Sequence, residues 1–380
     1  MGKNSPRSAF LSGENTRTIF LDREFHSLGP DLIALRLASN LLRNIKIKGG
    51  LFMRKKMLLM LLVVCMSLSL FAAGSPEKES GGYRIAYMTP ALHIPFWKDV
   101  ADGIRDQAAT VDSVTIINSD SKLSAATQLQ NAMDLITSGI DAIIISPTDS
   151  ASCPAVLELA AENDVPVIIC DIGTDSGDYT AFVATDNFKG AKEAGEYFLK
   201  VAADRGVTGG KISLIGISQA RQNGKDRTNG FKSALEGTGF TIDTLLECKD
   251  YTRAESMSFA QDLISANPNL AGLFTEHDEA NLGVMPAKDT ADVMNTLIHV
   301  GFDGSPETVD AIKAGHISAA AMQQPVTMGR EAFKAAYAYL TGVPFEKKIV
   351  VDTILVTKEN VNEVEPLLAN NVYPNELKAN

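Results

Sequence analysis

Residues 139–171 read GIDAIIISPTDSASCPAVLELAAENDVPVIICD. Two short apolar runs, 141–146 (DAIIIS) and 165–170 (VPVIIC), flank a stretch that opens on Pro147-Thr148-Asp149-Ser150 and continues as a helix to Asn163. Strands this apolar, without polar alternation, are buried on both faces, as in a parallel sheet covered by helices. The segment therefore assigns the chain to the α/β class.

The same rhythm extends in both directions. Upstream, 84–88 (RIAYM) is a strand, and Pro95 opens a helix with Phe96, Val100, Ile104 and Ala108 on one face. A second strand, 114–118, precedes a helix lined by Leu123, Ala126, Leu129, Met133 and Ile136, which Gly139 closes. Downstream, the pattern resets at Thr185-Asp186-Asn187. A long helix runs from there to about Arg205, and Thr208-Gly209-Gly210 breaks it. Strands follow at 211–217, 241–248, 270–275 and 296–301, separated by helical stretches. The tail adds a strand at 317–322, a helix with Val326, Phe333, Tyr337 and Leu340 inward, and a strand at 349–356. Residues 83–323 thus hold two consecutive parallel βα sheets, each of domain size. The tail is too short for a third domain and is shared between them.

Composition narrows the function. Of 380 residues, 35 are Lys or Arg and 46 Asp or Glu, a net charge of −11. The charge is uneven: residues 1–74 carry a net +7 and residues 75–380 a net −18. An acidic body argues against a nucleic-acid partner, which needs basic clusters, and against docking to an anionic membrane surface. Residues 53–74 (MRKKMLLMLLVVCMSLSLFAAG) have a basic start, an apolar run and small residues at Ala72 and Gly74, the three parts of a secretory signal peptide. Val64 before Cys65 is a poor lipid-attachment context, so lipid anchoring is disfavoured. Residues 1–52 show no clear periodicity. Met53 reads as the true start and 1–52 as a mis-assigned leader, with 75–82 a polar linker. The protein is then periplasmic or cell-envelope. Cys153, Cys170 and Cys248 read as small core or edge residues, with a 153–170 bridge open.

Two open α/β lobes place a cleft where their strand C-termini face each other, and ligands bind outside those ends. The candidate loops are 93–97, 170–172, 219–227, 275–278, 301–305 and 322–325. No enzyme motif occupies them: there is no GxGxxG after the first strand, no P-loop and no nucleophile elbow. His26, His93, His277, His299 and His316 are isolated, and no metal or cofactor motif is present. The adjacent Asp278 and Glu279 read as helix-start charge. What remains suits a polar ring. Phe96 and Trp97 can stack on it; Phe96 fits the inward stripe, which leaves Trp97 the freer of the two. Asp171 can accept from vicinal hydroxyls, and Arg227 can donate to several oxygens. Asp303 and Gln323 complete the set.

The chain resembles the ribose-binding branch of bacterial type I periplasmic sugar-binding proteins over about 83–357. The resemblance is collinear through PFW (95–97), GIDAIIISPTDS (139–150), VPVIICD (165–171), TDN (185–187), DRTNGF (226–231), GLFTEHDEANLG (272–283), VGFDGSPE (300–307) and MQQP (322–325). It implies two lobes joined by three hinge crossings, near 185–186, 323–324 and 351–352. The N-terminal lobe is then 83–185 plus 324–352, and the C-terminal lobe 186–323 plus 353–380. It further implies that Phe96 and Trp97 stack on the ligand and that Tyr251 covers its other face. Asp171, Arg227, Asp303 and Gln323 bind its hydroxyls.

Three positions depart from the ribose pattern: Ile94 for an asparagine, Ile172 for an arginine and His277 for an asparagine. The expectation is a pocket that loses an amide and a guanidinium and gains an imidazole. Ribose would then leave hydroxyls unpaired at about 1–3 kcal/mol each, so another sugar or a polyol is expected. His277 also brings a group titrating near 6.5 to the ligand, so affinity is expected to respond between pH 8 and 5. The resemblance implies an exported, non-enzymatic solute-binding protein of an ABC importer that docks to a membrane permease. The alternatives are a ligand-sensing partner of a chemoreceptor or membrane kinase, and a LacI-type regulator. The last needs a DNA-binding segment where 53–74 stand.

Overall fold

The computed structural model describes residues 82–373. The proposed leader and signal peptide lie outside the described residues. The chain alternates strand and helix through most of its length. β1 (Tyr83–Thr89), α1 (Pro95–Ala108), β2 (Val114–Asp120), α2 (Ala125–Thr137), β3 (Ala142–Ile145), α3 (Cys153–Ala161), β4 (Val167–Cys170) and β5 (Ala181–Thr185) come first. α4 (Asn187–Asp204), β6 (Gly209–Gly216), α5 (Gln222–Ala234), β7 (Gly239–Glu247), α6 (Arg253–Ala266), β8 (Gly272–Thr275), α7 (Asp278–Thr290), β9 (Ile298–Phe302), α8 (Pro306–Ala314) and β10 (Ala319–Met322) follow. The chain closes with α9 (Pro325–Thr341), β11 (Lys348–Val351), β12 (Ile354–Thr357) and α10 (Val361–Asn371).

These strands make two six-stranded sheets. The first has the order β11-β5-β4-β3-β1-β2 and is parallel throughout. The second has the order β12-β10-β9-β8-β6-β7 and is parallel except for β12, which runs antiparallel to β10. The expected class, two α/β lobes with crossings, is the fold observed. Both faces of each sheet are covered, which is why the strands carry so few polar residues. In the first lobe, Tyr87, Ile144 and Ile168 pack under α1 and α9, while Ile143, Ile145 and Ile169 pack on α3. In the second lobe, Leu214, Phe274 and Val300 pack under Phe198 of α4 and Phe231 of α5.

α1 and α9 meet backbone to backbone. A Cβ at Gly103 would stand 2.1 Å from the Val326 carbonyl oxygen, and one at Gly329 would stand 2.1 Å from that of Val100. Only glycine permits that approach.

The chain passes between the sheets at 185–187, 322–325 and 351–354, and the passes are tied to one another. Lys189 Nζ lies 3.2 Å from Asp352 Oδ1, and Gln324 donates to the Asp352 carbonyl at 2.8 Å. The single strand expected at 349–356 is therefore two strands in different sheets. Asp352 and Thr353 carry the crossing between them, and no Gly or Pro marks it. β5 and α10 were not anticipated from the sequence. Cys153, Cys170 and Cys248 are buried free thiols.

Candidate functional site

The C-terminal ends of the strands in both lobes face a shared cleft of about 790 Å³, part of it open to solvent. It brings together Ile94, Phe96, Trp97, Asp171, Arg227, Tyr251, His277, Asp303 and Gln323 from the two lobes and one crossing.

β4 ends at Cys170, and Asp171 turns out of the strand at φ 70° with its N–H donating to the Val183 carbonyl at 2.8 Å. Tyr251 (φ 55°) and Asp303 (φ 63°) share this left-handed backbone. Three non-glycine residues held there in one cavity is local strain of the kind that accumulates at binding sites. Asp171 Oδ2 accepts from Asn223 Nδ2 at 3.0 Å across the cleft, while its buried Oδ1 has no partner. Burial pushes the Asp171 carboxyl up to about 6, against the opposing pull of the Arg227 guanidinium.

Arg227, near the start of α5, is 2% exposed. Its Nε donates to Asn187 Oδ1 at 2.8 Å and its Nη1 to the Glu276 carbonyl and to Asp303 Oδ2, the latter at 3.2 Å. The guanidinium lies 4.1 Å over the Phe302 ring. Gln323 donates to Asp303 Oδ1 at 2.8 Å, and this fixes its amide so that Oε1 is left buried without a partner. Asp171, Asn223, Arg227, Asp303 and Gln323 thus form one polar wall beside the crossings.

His277 is the N-cap residue of α7, but its side chain makes no cap bond. The ring meets Tyr251 edge-on at 5.5 Å, and its Nε2 is buried without a partner. Burial, reinforced by Arg227 and Arg221, pushes the imidazole down to about 3. The expected titration of His277 between pH 8 and 5 is therefore corrected: the ring stays neutral across that range. The groups that titrate there are carboxyls. Burial raises Glu276 and Asp278 to about 7, in opposition to hydrogen bonds from Thr228 and Thr308 respectively.

Two further expectations change. Trp97, not Phe96, joins the inward stripe of α1: it is 4% exposed and packs with Val100 and Ile104, while Phe96 is half-buried edge-on to it at 4.8 Å. Ile172 does not line the cleft. Past the left-handed turn at Asp171, Ile172 packs into the same apolar cluster as Ile168 and Cys170 and is wholly buried in the core of the first lobe. Ile172 therefore gives the ligand neither a contact nor a guanidinium. Arg221 supplies a second one from the other lobe, 4.9 Å over the Tyr251 ring, with Nε donating to the Thr148 carbonyl at 2.9 Å.

Arg221 and Asn223 were missed as individual residues, although both fall in the 219–227 loop singled out. Nothing in the spacing shows that the loop reaches across to the first lobe. Tyr373 and Val372, after α10, also line the cleft and gave no sequence signal.

A buried, two-lobed cleft with charged and aromatic walls and its polar groups tied into a network defines a binding protein for a small polar solute. The chain matches the periplasmic binding protein domain over residues 85–344 and belongs to that family, whose members here are binding proteins rather than enzymes. It is 30% identical over 275 residues to the ribose import binding protein of Salmonella typhimurium, covering 72% of this chain and 90% of that protein. It is 28% identical over 288 residues to the D-allose-binding periplasmic protein of Escherichia coli, covering 72% and 91%. Among solved structures, an ABC transporter solute-binding protein from Agrobacterium vitis with bound α-D-tagatopyranose superposes with a TM-score of 0.69. The two are 26% identical, over 77% of this chain and 99% of that one.

Proposed function

We propose that this protein is exported through residues 53–74, captures a neutral sugar or polyol between its lobes, and delivers it to the membrane permease of an ABC importer. The observation that carries the reading is the polar wall. Asp171 Oδ1 and Gln323 Oε1 are buried acceptors without protein partners, next to a fixed Arg227. Such a wall suits a ligand with several hydroxyl groups, each able to donate and accept. Aromatic Phe96 and Tyr251 line the same cavity and suit the C–H face of a ring. The kinship to ribose, allose and tagatose binders supports the same class. Ribose itself is disfavoured, because Ile94 offers no hydrogen bond and His277 offers one donor and one acceptor where an amide would offer more.

The test is native mass spectrometry of freshly purified protein, followed by titration calorimetry with the compound released. A hydroxylated, uncharged ligand is expected. Asp171→Ala and Arg227→Ala should each weaken it by about 2 kcal/mol, roughly thirtyfold, since each leaves buried hydroxyls unpaired. Unchanged affinity in both folded variants would refute this reading of the cavity. Small-angle scattering should show compaction on binding.

A further inference from the structure

We infer that the ligand is amphipathic: a deoxy sugar or deoxy polyol, hydroxylated at the end that meets the crossings and carrying an alkyl group at the other. This rests on the sugar-or-polyol reading above and narrows it.

Polarity falls off along the cavity away from the crossings, and His277, whose Nε2 is buried without a partner, stands after β8 between the two ends. Beside the crossings, Asp171 Oδ1 and Gln323 Oε1 are both buried acceptors without partners, so that end of the ligand must bring at least two O–H donors. The opposite wall is built from Ile94, Ile217 and Tyr251. Ile94 projects from the first lobe yet packs against the second lobe's apolar cluster of Ile215, Ile217, Cys248 and Tyr251. Its position is fixed by the helix it starts: its carbonyl accepts from Trp97 N at 3.1 Å and Lys98 N at 3.3 Å. Neither isoleucine side chain can pair with a hydroxyl. The Tyr251 oxygen already accepts from Ser218 N at 3.3 Å. Arg221 stands over the Tyr251 ring, 4.9 Å from its centroid, and commits Nε to the Thr148 carbonyl. A hydroxymethyl group turned toward Ile94 and Ile217 loses water and finds no partner on them, whereas a methyl group is covered by apolar surface.

The polarity of the two ends also fixes the ligand's direction in the cleft. The hydroxyl-bearing end meets Asp171 and Gln323 first, and the alkyl end is sealed where Ile94 bridges the lobes. Specificity at that end then belongs to Ile94, a residue that makes no polar contact through its side chain.

The experiment is titration calorimetry with matched pairs that differ only at C6: D-fucose with D-galactose, L-fucose with L-galactose, L-rhamnose with L-mannose, and D-quinovose with D-glucose. The tightest binder should be a 6-deoxy member, favoured over its parent by about tenfold or more. Ile94→Asn, shown to be folded by its melting curve, should reduce that preference to about twofold or reverse it, because the amide gives the hydroxyl a partner. Parent sugars binding as well as or better than their deoxy partners in every pair that binds would overturn the alkyl-end inference and leave the sugar reading standing. Absence of binding by any sugar or polyol, and none carried through purification, would overturn both.

Discussion

Ser150 offers a test of lobe closure through a residue that does not line the ligand cavity. It lies in the loop after β3 of the first lobe and is wholly buried. α5, in the second lobe, begins without a side-chain cap of its own, because its N-cap residue is Arg221. The N–H of Gln222 in its first turn donates instead to Ser150 Oγ, 3.1 Å away across the cleft. The seat of Ser150 is firm: its carbonyl accepts from Asp175 N at 2.9 Å, and its N–H reaches the Ala220 carbonyl at 3.4 Å. Helix capping is thus completed only when the lobes meet, together with the Arg221–Thr148 and Asn223–Asp171 bonds. Replacing a serine cap by alanine costs about 1 kcal/mol. Here that cost falls on the closed state alone, since in an open protein water satisfies Gln222. Ser150→Ala should therefore weaken ligand binding about fivefold, mainly through faster dissociation, and leave the ligand-free melting temperature within about 1 °C of wild type. Ser150→Thr, which keeps the hydroxyl, should restore affinity. Stopped-flow dissociation and calorimetry read the effect. Affinity within about twofold of wild type, or a loss of ligand-free stability as large as the loss of affinity, would refute a cap delivered between lobes.

Two other perturbations have definite signs. Asp171 titrates near 6 and accepts from the ligand as a carboxylate, so affinity should fall as pH drops from 8 to 5, by about tenfold at the acid end; Asp171→Asn should flatten the profile, and a profile flat in wild type would exclude that role. Ligand-free stability should move the other way: Glu276 and Asp278, buried within the second lobe itself, are raised to about 7, the penalty for holding them ionised is full above that value, and it is released as pH falls toward their unfolded values, so melting temperature should rise from pH 8 to 6. Gly329→Ala should cost about 2–3 kcal/mol in urea unfolding, because its methyl group would drive α9 off the Val100 carbonyl; a cost under about 1 kcal/mol would mean the helix pair can separate freely.

Much of the fold could be read because its strands are buried on both sides. Runs such as AIII in β3 and VIIC in β4 admit no polar residue, and a run that pure stands out against the helices around it. β5 (AFVAT) could not be read in the same way: five residues ending in threonine, followed at once by a helix cap, carry little signal. The crossing at 352–353 was invisible for a different reason. A chain that leaves one sheet and enters another keeps an extended backbone and apolar side chains throughout, so IVVDTILV looks like one strand until the partners of each half are known.

The site divides along a similar line. Asp171 and Arg227 announce their chemistry by residue type, but what each group does is decided by neighbours that come from elsewhere in the chain. Ile172 adjoins Asp171 in sequence and is turned into the core, because the left-handed turn at Asp171 sends the chain back onto the cluster of Ile168 and Cys170. Arg221 belongs to the other lobe and reaches Thr148, seventy-three residues distant. His277 shows the same dependence in its protonation. The residue type promises titration near neutrality, yet burial against Tyr251, with Arg221 and Arg227 close by, leaves a neutral ring whose Nε2 has no protein partner. A neutral imidazole offers one donor and one acceptor whatever the pH between 5 and 8, so in this cleft His277 selects by geometry and the carboxyl of Asp171 carries the response to pH.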